Sequence, residues 1–210
     1  MNYLIILFGA PGCGKGHLWR FLSDSLQKKF GEEQVLYIAT GDLIREEIKN
    51  RTQLGAEIEE IVQLGQLVPD EIVDHLVAKA LTGKQQVKVL DGYPRTNAQF
   101  DALKEQIEAE TKVIAIFRDT PTDLILSRVA KRRVCAECKT VHLSDDRCCP
   151  KCGGESLIRK DDAVIQNRLE EFNKNTLPLW SRMPNICRAT LQVAGDCTSE
   201  WLANNIMSLL

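Results

Sequence analysis

The chain of 210 residues contains no apolar run long enough to cross a bilayer, a task that takes about 20 predominantly apolar residues. Its first residues, MNYLIILFGAPG, lack a basic n-region, and their apolar run ends in glycines rather than at a cleavage site. The segment therefore reads as a first buried strand of a cytoplasmic protein and not as a targeting signal. An excess of charge of one sign is missing as well. Lysine and arginine number 27 against 29 acidic residues, for a formal net charge of -2. That balance argues against broad attraction to nucleic acid or to an anionic membrane. There is no internal repeat and no low-complexity linker, so the length implies one compact domain, perhaps with a small insertion.

Cysteine, by contrast, is plentiful. Five of the eight cysteines fall between Cys135 and Cys152, while Cys13, Cys187 and Cys197 are scattered. Clustered pairs in a cytoplasmic chain point to a metal before they point to disulfides.

Strand-length apolar runs occur at Tyr3 to Phe8, Val35 to Ala39, Val87 to Leu90 and Val113 to Phe117, with a weaker one at Thr190 to Val193. Near-continuous runs of this kind suit strands buried on both faces of a parallel sheet. Amphipathic patterns lie between them: Leu18, Phe21, Leu22 and Leu26; Ile72, Val73, Leu76, Val77 and Ala80; Leu124, Ile125, Arg128 and Val129; and Glu200 to Leu210. Strand followed by helix, repeated, predicts a doubly wound α/β fold with a five-stranded parallel sheet. From about Lys131 to Asp162 the pattern stops. A stretch of that length needs a function as a lid, or a staple of its own.

The first strand leads into GAPGCGKG, a Gly-x-x-x-x-Gly-Lys loop from Gly9 to Lys15 followed by a helical pattern. In that context backbone N–H groups surround phosphate oxygens and the lysine reaches the outer phosphates. The Ser or Thr that usually follows the lysine is replaced by Gly16 and then His17. Farther along, CAEC at Cys135 and Cys138 and CPKC at Cys149 and Cys152 offer two knuckles, hence four thiolates for a closed, structural zinc site. Cys148 and His142 are alternative ligands by proximity.

GAPGCGKG, ATGDLIREEI, LGQLVPDEIV, LDGYPRTNAQF and RKDD stand in order along the chain, and together they resemble the adenylate kinase family over essentially its whole length. The resemblance implies a P-loop NTPase-like fold, and a core of residues 1–38, 83–130 and 163–210. It also implies a segment binding the nucleoside monophosphate at 39–68 and a lid at 131–162. It implies reversible phosphoryl transfer from ATP to AMP with magnesium, by a monomer without nucleic-acid or membrane partners. Some members carry zinc in the lid. By similarity Gly12, Cys13, Gly14, Lys15, Gly16 and His17 surround the ATP phosphates. Arg128 packs on the ATP adenine and Arg132 reaches the ATP phosphates. Thr40 and Gln99 meet the AMP adenine, with Gln66, Leu67, Val68 and Gly92 lining its site. Arg45 and Arg95 hold the AMP phosphate, aided by Arg159 and Arg168, and Asp91 orients magnesium-bound water. Such a concentration of arginine suits spread-out phosphoryl charge.

The chain departs from the family pattern at His17, usually Thr. It departs again at Val141, near the place of a lid aromatic, and in shorter spans between the cysteine pairs and before Arg168. Asn97 keeps a UMP/CMP kinase as an alternative acceptor specificity. A nucleotide-sensing zinc protein and a regulatory pseudo-kinase are the alternatives from other classes.

Overall fold

The computed structural model describes residues 1–138, 140–143, 146–159 and 162–210. Lys160 and Asp161 of RKDD lie outside the described residues. Five parallel strands form the main sheet: β1 (Asn2–Phe8), β2 (Val35–Ala39), β3 (Val87–Asp91), β4 (Thr111–Asp119) and β8 (Ala189–Ala194), in spatial order β2-β3-β1-β4-β8. The five expected strands are these; β2 keeps the bounds of its apolar run and the other four extend by a residue or more.

The continuous apolar character of β1 has a direct packing cause. Leu4, Ile6 and Phe8 face one core layer, with Ile38, Ile58, Val77 and Phe100. The alternate residues Tyr3, Ile5 and Leu7 face a second layer, with Leu18, Leu22 and Leu26 of α1 (Lys15–Phe30) and Leu202 and Ile206 of α8 (Ser199–Ser208). Successive side chains on a strand point to opposite faces, so a strand covered on both sides has no polar positions to spare.

The stretch between Phe30 and Thr40 holds a short 3₁₀ turn and β2. Helices α2 (Thr40–Lys49), α3 (Gln53–Gln63), α4 (Asp70–Leu81), α5 (Asn97–Gln106) and α6 (Thr122–Ala130) follow in chain order. Thr52, Thr96 and Thr198 cap α3, α5 and α8 by accepting the backbone N–H of the third residue of each helix. Beyond α7 (Ile165–Glu171) the backbone passes through a π-helical turn at Phe172–Thr176 and a 3₁₀ stretch at Leu177–Asn185. Pro178 and Pro184 lie in that last stretch, where a proline removes an N–H donor and prevents regular α-helical bonding.

The segment without long periodicity folds as a separate small antiparallel sheet. It consists of β5 (Arg132–Cys135), β6 (Val141–Leu143) and β7 (Ser156–Leu157), in order β6-β5-β7. Strands of two to four residues are too short to leave an alternation that sequence alone reveals.

Candidate active site

β1, β3, β4 and β8 all end at the same edge of the sheet, and their carboxyl ends open into a cleft of ≈ 1440 Å³. Open parallel sheets present their ligand sites there, where helix N-termini and loops converge. Ten basic side chains line this cleft against six acidic ones among the described residues, in a chain whose net charge is -2. The cleft therefore concentrates positive charge that the composition as a whole does not show.

The phosphate loop forms one wall. Gly14 holds φ 102° at the entry to α1, a left-handed conformation open to glycine at little cost. A Cβ at Gly14 would also come within 3.0 Å of the Arg118 guanidinium. The Lys15 ammonium donates to the carbonyls of Gly9 (2.8 Å) and Ala10 (3.2 Å) and lies 3.8 Å from the Asp91 carboxylate. Gly12, Gly14, Gly16 and His17 line the cleft with it, whereas Cys13 is fully buried beneath the loop. The His17 backbone N–H donates to Gly14 O (3.1 Å), and its ring meets Phe21 edge-on at 5.3 Å. Burial first, then the positive charge of Arg20, Arg118 and Arg128, lowers the His17 pKa below its ordinary 6.5.

On the side of β3 the structure gathers Arg45, Arg95, Arg159 and Arg168 at the cleft, with Gln66, Leu67, Asp91 and Gly92. Arg45 pairs with Asp42 at 2.5 Å. Arg95 donates through Nε to Gly92 O (2.7 Å) and through Nη2 to Thr40 Oγ1 (3.3 Å). Gly92 stands at φ 83°, and a Cβ there would come within 2.8 Å of both Arg95 Nη2 and Thr40 Oγ1. Burial and then the neighbouring Arg168 bring the Arg95 pKa down to about 10, with Arg45 adding to the effect and Asp91 opposing it. Cations held this close repel one another, and an incoming anion relieves the repulsion.

Thr40, Gln99 and Val68 do not line the cleft; all three are buried. Both ends of the Gln99 amide are engaged. Its Oε1 accepts the Arg95 backbone N–H (2.7 Å) and its Nε2 donates to Asp70 Oδ1 (2.7 Å), while Thr96 Oγ1 donates to the other Asp70 oxygen (2.6 Å). Gln99 and Asp70 thus brace the backbone that carries Arg95. Asn97 accepts from Arg182 (2.6 Å) and is likewise away from the cleft.

On the opposite side, Arg128 donates to Cys13 O (3.3 Å) and Gly195 O (3.0 Å), joining the phosphate loop to the turn after β8. Arg118 makes a parallel set of bonds, to Gly14 O, Ser199 Oγ (3.0 Å) and Cys197 O (2.6 Å). Sequence reading passed over Arg118, although one charge ending the apolar run VIAIF was the available signal. It also passed over Tyr37, whose hydroxyl donates to Asp91 Oδ2 at 2.7 Å. Arg132 forms a two-bond ion pair with Asp162 at the base of the small sheet. Across the cleft, Arg20 of α1 donates to Val141 O of that sheet (2.6 Å).

The four cysteines of the two pairs converge. Their sulfurs all lie within 4.8 Å of one another, with contacts of 3.4, 3.5 and 3.6 Å. Zinc bound to four thiolates at about 2.3 Å spaces its sulfurs about 3.8 Å apart, so the donor set and its geometry fit that ion. Backbone N–H groups of Cys138 and Lys151 point at the sulfurs of Cys135 and Cys149, both at 3.4 Å, as in metal-binding knuckles. Cys148 and His142 stand outside the group; Cys148 is exposed, and the His142 ring bonds Ser156 Oγ at 2.8 Å. A magnesium site needs less, because that ion keeps water and phosphate ligands and takes only one or two carboxylates. Asp91, on the cleft wall beside Lys15, fits that requirement.

The profile of the family described as adenylate kinase matches residues 7–183. An adenylate kinase of Clostridium tetani is 38% identical over 188 residues, covering 83% of each chain. That of Caldicellulosiruptor bescii is 39% identical over 190 residues, covering 83% of this chain and 84% of its own. That of Pseudothermotoga lettingae is 36% identical over 187 residues, with 83% of each covered.

Proposed function

Because the chain belongs to the adenylate kinase family, we infer that the basic cleft at the carboxyl edge of the sheet is where it transfers a phosphoryl group reversibly from ATP to AMP, giving two ADP. The observation that carries the assignment is the gathering of Lys15 with Arg45, Arg95, Arg128, Arg132, Arg159 and Arg168 around one opening. Phosphoryl transfer asks a protein chiefly for positioning and for fixed positive charge where negative charge spreads.

In this reading ATP lies with its phosphates over Gly12 to His17 and its base against Arg128. Lys15 leaves its two carbonyl partners for the outer phosphates. AMP enters from the β2–β3 side, where Arg45 and Arg95 take its phosphate with help from Arg159 and Arg168. Its base approaches the Gln66 to Val68 backbone, with Thr40 and Gln99 behind it. The bonds that Gln99 makes to Arg95 and Asp70 make it a support for Arg95, and they leave its second N–H and a carbonyl lone pair for the adenine. No general base is required, since the attacking oxygen of AMP is already anionic. Arg132 turns from Asp162 to the ATP phosphates as the lid at 131–162 closes, and closure of the lid and of the segment 39–68 excludes water.

Magnesium bound with ATP supplies neutralising charge at the phosphates, and Asp91 is the group that would hold its water. Zinc on Cys135, Cys138, Cys149 and Cys152 would staple the small sheet without taking part in the chemistry. The protein is proposed to act as a monomer in the cytoplasm; no described helix is long and apolar enough to cross a membrane. The test is a panel of AMP, UMP and CMP as acceptors with ATP as donor. AMP should be the preferred acceptor, and turnover with none of the three would overturn the reading.

A further inference from the structure

Four side chains close a ring beside the phosphate loop. Lys15 and Trp19 stand four residues apart on α1 and so share one helix face. Trp19 stacks flat on Tyr37 of β2, with centroids 4.4 Å apart and planes 5° from parallel. The Tyr37 hydroxyl donates to Asp91 Oδ2 at 2.7 Å, and Asp91 Oδ1 faces the Lys15 ammonium at 3.8 Å. We propose that Tyr37 is a positioning residue that aims the Asp91 carboxylate at the metal–phosphate group, with Trp19 locking the tyrosine ring to the helix that carries Lys15.

The physical case rests on the freedom of an aspartate. Its carboxylate turns about a broad terminal torsion, and the Lys15 contact at 3.8 Å is too long to fix it. Among the described residues the Tyr37 bond is the one hydrogen bond the carboxylate accepts. It occupies Oδ2 and leaves Oδ1 turned toward Lys15. Burial, and then the charge of Asp91, keep the phenol protonated well above any working pH, so toward Asp91 it acts as the donor. Tyr37 packs against the core and also lines the cleft, so its ring is placed for the site and not for packing alone.

The proposal rests on the assignment of Asp91 above, and the experiment separates the two. Tyr37→Phe keeps the ring and the stack and removes only the donor. Asp91→Asn tests the carboxylate, and the double variant tests their coupling. For each, kcat and both KM values are measured, together with Mn2+ affinity of the protein–ATP complex by electron paramagnetic resonance and the melting temperature. Tyr37→Phe should lower kcat roughly tenfold, the scale of one charge-assisted hydrogen bond. It should also weaken Mn2+ binding, leave the KM for AMP unchanged, and add nothing in the Asp91→Asn background. Wild-type kcat and Mn2+ affinity in Tyr37→Phe, beside an impaired Asp91→Asn, would overturn the positioning role alone. So would a full additive loss in the double variant, or a loss matched by a collapse in melting temperature. An Asp91→Asn protein with normal activity and Mn2+ affinity would overturn the Asp91 assignment and this proposal together.

Discussion

Lys15→Met offers the sharpest test of the phosphate loop, because it removes the charge and keeps a stem of similar length. The ammonium rests on the carbonyls of Gly9 and Ala10. Each such bond contributes about 1 kcal/mol net. A phosphate oxygen about 4 Å away attracts the ammonium by about 4 kcal/mol per unit charge at an effective dielectric near 20. The phosphate therefore wins, and the lysine should change partners when ATP binds. Removing one preorganised donor to developing phosphoryl charge costs about 10²–10³ in kcat, and a loss of that size is expected for Lys15→Met in a coupled assay of ADP formation.

Stability should move much less. The Lys15–Asp91 pair spans 3.8 Å between side chains 13% and 15% exposed, and at such burial desolvation cancels most of the attraction. Asp91 also keeps its Tyr37 bond in the variant. Loss of the two carbonyl bonds, at about 1 kcal/mol each, corresponds to roughly 4–8 °C in melting temperature for a chain of this size. A variant retaining more than about a tenth of wild-type kcat would refute the assignment. One that melts far lower would show that the lysine holds the loop together instead of serving the phosphates.

Metal analysis of freshly purified protein should find about one zinc per chain, and chelation should speed amide exchange in the small sheet before it affects β1 to β4; absence of zinc, or unchanged exchange after chelation, counts against the four-cysteine site. His17 gives a pH signature. Its folded pKa lies below the ordinary 6.5, so the unfolded chain takes up the proton first as pH falls, and the folded state loses stability from about pH 6.5 down to the folded value. His17→Thr should flatten melting temperature against pH between 7.5 and 5.5, and equal slopes in the two proteins would dismiss the effect.

The parts of the site that were legible in sequence are those whose chemistry is local. Gly9 to Lys15 reads as a phosphate loop because glycines that permit φ 102° at Gly14 and a lysine one residue later must be neighbours in the chain. Each Cys-x-x-Cys pair likewise forms its knuckle within four residues, and Cys148 and His142 could be separated from the ligands only by where they fell in space. The parallel sheet was legible for a similar reason, since β1 needs apolar residues at every position once both of its faces are covered.

Arg118 and Tyr37 show what was not legible. Arg118 meets Gly14, Cys197 and Ser199 from another strand, and Tyr37 reaches Asp91 from 54 positions away. Gln99 shows the same, because its motif suggested a base contact and only the fold revealed its bonds to Arg95 and Asp70. Residue type and spacing alone determined that a phosphate-loop motif follows the first strand, that two cysteine pairs can form knuckles, and that a parallel sheet lies beneath them, because each follows from chain geometry over a few residues. Tertiary structure decided which arginines share one opening and which side chain aims the carboxylate, because those relations depend on strand order and register, and neither is a property of any single segment.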